Sequence, residues 1–441
     1  MATRPEMGCG VRGWAGGPVM RPGYAGAVEL RNWGGTYRYR ARALHRPRTL
    51  AELRGLVISC RRLRVAGSRH SFNAIGDGDE LVTLDDLSGD LAIDHDAQIV
   101  SLPSHLRYGQ LAERLAGEGL ALANLASLPH ISVAGAVATA THGSGIANGN
   151  LATAIAALEL VRSDGQIVWL RRGSPDFDGA VVALGALGVV TRVVLDVQPA
   201  YEISQHVYEG LAWDALFEHF DAIFAAAYSV SVFLGWRDRI DQVWLKRRAA
   251  DHPAPDELFG AAPAPADRHP IAGLDPANCT PQLGRPGPWM DRLPHFRMGF
   301  TPSSGQEIQS EYHLAREQAV EAIDALRSIR PSFQQLVQVS ELRTIAADTL
   351  WLSPQHGRDT VAIHFTWAPD QRAVERALAE IEAILIPLGA RPHWGKLFLA
   401  GAADLAGSYE RLADFSAMVQ RFDPHGKFRN RWLEAHLLGA D

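Results

Sequence analysis

The sequence predicts an α+β protein of two domains, and three observations point there. Its 441 residues exceed the size that one hydrophobic core usually organises. The first 200 residues mix short strands and helices around a long stretch, 124–150, that is almost wholly small and polar and has no amphipathic period. From position 309 the apolar periodicity runs strand, helix, strand, strand, helix, strand. That is the split βαβ order of a ferredoxin-like antiparallel sheet, with helices on one face and the other face free to cover something.

The elements follow in chain order. Residues 1–27 are glycine-rich and irregular, with no apolar leader segment and no twin arginine, and read as an extension. Thr49 caps a helix expected to run to about position 62. A strand over 63–65 then enters the turn Gly67-Ser68-Arg69-His70-Ser71. Strands are expected at 81–84 and 91–102, and a helix at 108–117. Residues 158–161 and 166–170, joined through Asp164-Gly165, read as a hairpin; 177–184 reads as helix and 189–197 as strand. Beyond Pro199 the character changes, and the Ala-, Pro- and Asp-rich segment 249–281 reads as a long surface loop. The second domain then supplies strands at 309–313, 336–344, 360–367 and 392–398, with helices at 316–329 and 371–385. The expected division is 28–200 for the first domain, 201–400 for the second, and 401–441 for a segment that returns to the first.

Composition excludes several classes of function. Hydrophobic residues at 47% and charged residues at 21% are ordinary for a globular chain. A net charge of −6 provides no basic surplus for a nucleic-acid backbone. The longest apolar runs, such as 181–190, fall well short of the ~20 residues of a membrane helix. Cys9, Cys60 and Cys279 have neither disulfide-framework nor zinc spacing, and no metal site is expected. The cytoplasm is the expected location, and a monomer the expected state.

Two segments carry the first chemical argument. A strand that runs through Val65 and Ala66 into Gly67, Ser68, Arg69, His70 and Ser71 ends in a turn with free backbone N–H groups, a cradle for an anion. An ordinary turn with an exposed histidine explains that segment alone equally well. The segment from Ser127 to Gly145 changes the balance. It is too poor in bulky side chains to build a core, yet it lets the backbone lie close against a flat ligand and a pyrophosphate.

A second argument comes from strand alternation. Residues two apart share a strand face, so Val337, Val339, Glu341 and Arg343 are expected on one face, with Ala362, His364 and Thr366 on a face of the next strand. A surface ion pair and a core histidine are the commoner fates of such residues. Lys396 lies in an otherwise apolar strand, where it either snorkels to solvent or enters a polar pocket.

Together these segments resemble the flavoproteins related to vanillyl-alcohol oxidase, and most closely their alditol oxidase branch. The resemblance rests on six motifs in register: Gly67–Asn73, Ser127–Gly145, Gly185–Thr191, Glu341-Leu342-Arg343, His364-Phe365-Thr366-Trp367 and His393-Trp394-Gly395-Lys396. It covers positions 33–437.

What it implies is specific. The first domain is a PCMH-type FAD-binding domain of two α/β subdomains, and the second is a substrate-binding cap. His70 bonds covalently to the flavin. Val65, Ala66, Gly67, Ser68, Arg69, His70 and Ser71 wrap the pyrophosphate, and Ser127, Ser132, Gly135, Ala136, Val137, Ala138, His142, Val190, Thr366 and Lys396 line the remaining cofactor cleft. Many relatives carry glycine at the position of Arg69, so a positive φ there costs energy, offset in part by a guanidinium beside pyrophosphate. Ser127, Gln309, Glu341, Arg343, His364, Thr366 and Lys396 bind a polyol, Arg343 and Lys396 act catalytically, and oxygen accepts the electrons to give hydrogen peroxide. Ala126 lies where relatives gate oxygen. The alternatives are an aldonolactone oxidase or dehydrogenase of the L-gulono-1,4-lactone type, and a flavin-binding protein without turnover.

Overall fold

A computed structural model describes residues 29–249, 251, 253–299 and 307–439, so the N-terminal extension lies outside the described residues. The protein mixes helix and sheet in the α+β manner. Strands Ala43–His45, Glu80–Val82 and Arg64–Val65 form a small parallel sheet. A five-stranded antiparallel sheet follows, built from Ala92–Asp94, Ile99–Pro103, Val189–Asp196, Ile155–Val161 and Ile167–Arg171. The third sheet has nine strands.

One end of that large sheet is the expected βαββαβ unit. Its strands Ile308–Ala315, Val337–Ile345, Thr360–Trp367 and Arg391–Pro392 lie side by side in the order second, third, first, fourth, all antiparallel. Ser229–Leu234, Gln242–Arg248 and Glu202–Glu209 continue the sheet beyond Val337–Ile345.

Helices Ala319–Ile329 and Gln371–Leu385 cover one face because their apolar residues recur at helical spacing: Ala322, Ile323 and Leu326 on the first, Val374, Leu378, Ile381 and Leu385 on the second, all buried. Asp370 caps the second helix through the Ala373 N–H. Alternate strand residues such as Tyr312, Leu342, Ile363 and Phe365 are fully buried in the same large core. Their sequence neighbours Glu311, Glu341 and His364 therefore project from the opposite face, which borders a deep cleft.

Several expected elements change on folding. Residues 91–102 split into a hairpin of Ala92–Asp94 and Ile99–Pro103, turning where Gln98 takes a φ of 52°. The small-residue stretch contains a helix of six residues, Val133–Ala138, too short to show a period. Val337 leaves the face expected for it: a bulge between Val337 and Val339 sets Val337 opposite Trp367 and Val339 opposite Thr366. Val337 accordingly packs on the helix-covered core, whereas Val339 joins Phe233 and Trp244 on the cleft side. The expected strand 392–398 shortens to Arg391–Pro392. Lys396 then stands in a turn, held by the His393 N–H to Glu311 O and Leu397 N–H to Gln309 O bonds. The expected loop 249–281 includes the short strand Ala262–Pro263 and the turn of 3₁₀-helix Pro276–Asn278.

C-terminal residues pack on the first sheet. Lys427 donates to the carbonyls of Val57, Ile58 and Cys60, and Asn430 to those of Ala74, Ile75 and Asp77.

Candidate active site

The cleft has a volume of about 660 Å³, and every expected site residue except Val137 borders it. Val137 is 2% exposed and turns into the core from the short helix, whose neighbour Ala136 does border the cleft.

One wall is the turn after Arg64–Val65. Burial holds the Arg64 guanidinium down to about 10, and its Nη1 and Nη2 groups donate to the carbonyls of Ile75, Leu184, Gly185 and Phe428. That clamp fixes where the strand ends. Ser68 and Ser132 then cross-link the two loops: the Ser68 N–H donates to Ser132 Oγ (3.4 Å), and the Ser132 N–H to Ser68 Oγ (3.2 Å). A Cβ at Gly67 or Gly135 would meet Ser132 Oγ at 2.7 Å, so neither position tolerates a side chain without movement. Arg69 has a φ of 57°, the strained region anticipated from its place in the motif, and its guanidinium donates to Arg31 O at 3.2 Å.

His70 packs against Trp33 (ring centroids 4.4 Å apart), His130 (5.6 Å) and Phe72 (5.9 Å). Its Nδ1 is buried without a partner among the described residues. Burial, reinforced by His130 and Lys396, lowers its pKa to about 3, so the ring is neutral near pH 7 with a free lone pair. The next residues tie this loop to the Lys396 turn. The Phe72 N–H donates to Gly395 O (2.8 Å), and Asn73 Nδ2 to Trp394 O (2.9 Å) and Lys396 O (2.7 Å).

The other wall is the open sheet face, where antiparallel register lines up polar residues from three strands. Glu341 lies directly opposite His364, and His364 opposite Glu311; in the next row Val339 faces Thr366, which faces Gln309. Two charge clusters result. In the first, Arg343 grips Glu341 with Nε on Oε1 (2.5 Å) and Nη2 on Oε2, and Nη2 also donates to Ser127 Oγ. His295 Nε2 donates to Glu341 Oε1 at 2.8 Å. In the second, Lys396 Nζ bonds Glu311 Oε2 and lies 2.8 Å from His364 Nδ1, while His142 Nε2 sits 2.6 Å from Glu311 Oε1.

These clusters set the protonation states. Burial opposes ionisation of Glu341, but Arg343 and then His295 outweigh it and hold the carboxyl well below its usual range. Glu311 is held low in the same way, by Lys396 and His142 against burial. Burial lowers Lys396 from its ordinary value while Glu311 pulls it back up. Burial and Lys396 lower His364 to about 4. The neutral His364 ring accepts from Lys396 at Nδ1, because an ammonium cannot accept, and so donates from Nε2 to Thr366 Oγ1 at 3.1 Å. Thr366 is left with its own O–H to give. Arg343 Nη1 has no protein partner among the described residues, so its two N–H groups are also free.

The buried histidines and carboxylates predict how stability depends on pH. His295 and His364 have folded pKa values near 4 against 6.5 unfolded, so between those values the unfolded chain binds more protons and stability falls as the pH is lowered. Glu311 and Glu341, depressed below 4.5, add stability that is present above 4.5 and lost as pH falls further. The thermal midpoint should therefore decline from pH 6.5 downward and more steeply below 4.5. A flat midpoint from pH 7 to 4, followed by differential scanning fluorimetry, would contradict these assignments.

The sequence argument missed four contributors. Glu311 is two residues from Gln309 on a strand already identified, and alternation alone would have placed it on the same face. His295 lies outside any strand and Phe233 on strand Ser229–Leu234, so their meeting with Glu341 depends on loop closure across 46 positions and on strand pairing across 108. The expected surface loop also supplies cleft wall through His269, Ile271, Leu274 and Asn278.

Known proteins are similar along nearly the whole chain. Residues 41–171 match the FAD binding domain family, and residues 302–436 the D-arabinono-1,4-lactone oxidase family. An alditol oxidase from Streptomyces sp. is 48% identical over 418 residues, covering 94% of this chain and all of that one. An L-gulono-1,4-lactone dehydrogenase from Mycobacterium tuberculosis is 28% identical over 425 residues, covering 90% and 96%. Among solved structures, cholesterol oxidase from B. sterolicum superposes with a TM-score of 0.74 at 14% identity, over 92% of this chain and 95% of that one, a likeness of fold.

Proposed function

The chain belongs to the alditol oxidase family, and from that premise we propose that it oxidises the terminal primary alcohol of a polyol such as xylitol or sorbitol to the aldose, with oxygen reduced to hydrogen peroxide. The observation that carries this reading is the convergence of Arg343–Glu341 and Lys396–Glu311 on one sheet face. A chain of vicinal hydroxyls can satisfy such a surface, and an apolar alcohol cannot.

FAD suits the residues on the first wall. A buried Nδ1 without a partner on His70, and two glycines that a Cβ would force against Ser132, are what a covalent anchor and a close backbone cradle require. Val65–Ser71, Ser132, Gly135, Ala136, Ala138, His142 and Val190 would hold the cofactor, with His70 bonded to it. When bound, FAD supplies the two-electron acceptor for the alcohol and the route of those electrons to oxygen.

The protein's own part is to orient and polarise. The free Nη1 donors of Arg343 and the remaining N–H of Lys396 would hold the reacting hydroxyl oxygen and polarise its bonds. Thr366, Gln309 and Ser127 would hold the further hydroxyls. Glu341 has already accepted three hydrogen bonds, which leaves it about one lone-pair site for a substrate hydroxyl. Its larger effect is to aim Arg343.

The test is anaerobic titration: xylitol or sorbitol should bleach the flavin absorption of the purified protein. A spectrum that no alcohol changes would leave a flavin-binding protein without turnover. The lactone family match over 302–436 favours one second reading, oxidation of an aldonolactone. Faster bleaching by L-gulono-1,4-lactone than by any polyol would establish it. Cytoplasmic location and a monomeric state belong to the same proposal and are read by cell fractionation and by mass in solution.

Covalent attachment carries its own prediction. Acid precipitation should leave the yellow colour in the protein pellet, and His70→Ala should release it to the supernatant. A colourless wild-type pellet would exclude the bond.

A further inference from the structure

We infer that His295 is a positioning residue for polyol specificity, acting through Glu341, and that Lys246 holds it there. The inference rests on the polyol reading above and adds a determinant from a different part of the chain. His295 is 5% exposed and borders the cleft. Its ring is wedged edge-on against Phe233 and Trp244, each 5.3 Å away between centroids. Its Nε2 donates to Glu341 Oε1 (2.8 Å), and its backbone N–H donates to Ser127 O (3.2 Å). Ser127 Oγ in turn accepts from Arg343. His295 thus closes a ring of contacts with Glu341, Arg343 and Ser127, tying the sheet face to the small-residue loop of the other wall.

Lys246 explains why His295 stays put. The ammonium, on strand Gln242–Arg248 and 1% exposed, donates to three consecutive carbonyls, Arg292 O (2.8 Å), Leu293 O (2.6 Å) and Pro294 O (3.0 Å). Thr280 adds a second bond to Pro294 O at 2.8 Å. The backbone immediately before His295 is therefore fixed on one side by a buried cation. A carboxylate that only Arg343 gripped could swing with the guanidinium; one that His295 also holds has a single position. The charged and titratable groups that act on Glu341 are Arg343, His295, Lys246, His364 and Lys396.

Removing the His295 donor should loosen Glu341 and ease its protonation. In His295→Ala, kcat/KM for xylitol should fall about ten- to a hundredfold, the loss expected for one hydrogen bond to a charged group. Most of the change should appear in KM, and a monohydroxylated alcohol such as 1-butanol should be affected less. The acid limb of kcat/KM should move to higher pH, because one of the groups that keep Glu341 ionised is gone. His295→Gln, whose amide N–H reaches the position of Nε2, should restore most of the KM and the acid limb. A flavin-loaded His295→Ala protein with wild-type KM and an unmoved acid limb overturns the inference. So does a loss that His295→Gln does not rescue, since that would mark the ring as packing alone. A wild-type flavin that no polyol bleaches defeats the polyol reading first, and the inference falls with it.

Discussion

Arg343→Ala is expected to give a folded, yellow protein whose kcat/KM for xylitol has dropped by about two to four powers of ten. Truncating one partner of a buried, hydrogen-bonded charge pair costs on the order of 2–5 kcal/mol, and each 1.36 kcal/mol is tenfold. Here the truncation strands Glu341, which is 3% exposed and keeps, among the described residues, the hydrogen bond from His295. It also removes the Nη1 donors assigned to the reacting hydroxyl, so 1-butanol should suffer alongside xylitol. Glu341→Ala should separate the two. It lowers polyol turnover by a similar factor through loss of aim, while a simple alcohol, which needs fewer contacts, loses less. Steady-state kinetics on both substrates makes the comparison. If Glu341→Ala leaves xylitol turnover unchanged, the pair is an internal ion pair and the polyol assignment loses its main physical support.

Lys396→Met should fold with FAD bound and lose anaerobic flavin reduction by about two to three powers of ten, the scale of removing one preorganised charge from a transition state. Methionine keeps the length and apolar stem of lysine, so packing in the turn changes little. What disappears is the ammonium between Glu311 and His364. The lysine is the largest influence holding the Glu311 carboxyl low against its burial. Without it that carboxyl moves toward protonation, and His364 no longer has the donor that sets its tautomer. Stopped-flow reduction by xylitol reads the effect, and flavin absorbance confirms loading. Wild-type reduction rates would mean that Lys396 pairs with Glu311 and takes no part in the chemical step.

Where the site residues fall was legible to the extent that one element held them. Period-two alternation put Glu341 and Arg343 on the same face before any pairing was known, and the glycine-rich loops declared a close backbone approach because bulky side chains are missing there. Helices 108–117 and 371–385 and strand 360–367 coincide with their expected bounds, since the first two carry strong amphipathic periods and the third alternates Val361, Ile363, Phe365 and Trp367 with smaller or polar residues. The bulge beside Val339 was not legible. It inserts one residue against a partner strand, and nothing local distinguishes the bulged position from its neighbours.

The sequence by itself determined the strand and helix order from position 309 onward, the small-residue wall of the cleft and the polar residues of the sheet's open face. Each of these is a property of neighbouring positions, set by backbone sterics and side-chain alternation. Only the tertiary structure decided that Glu311, His364 and Glu341 form one row, that Lys396 sits in a turn bonded to the His70 loop, and that His295 closes on Glu341 from outside the strands of the sheet. Those facts depend on strand register and on loop closure across tens to hundreds of positions. Burial then turns the resulting neighbours into charge pairs, because in a dry face a carboxylate stays ionised only beside a cation that the fold has brought there.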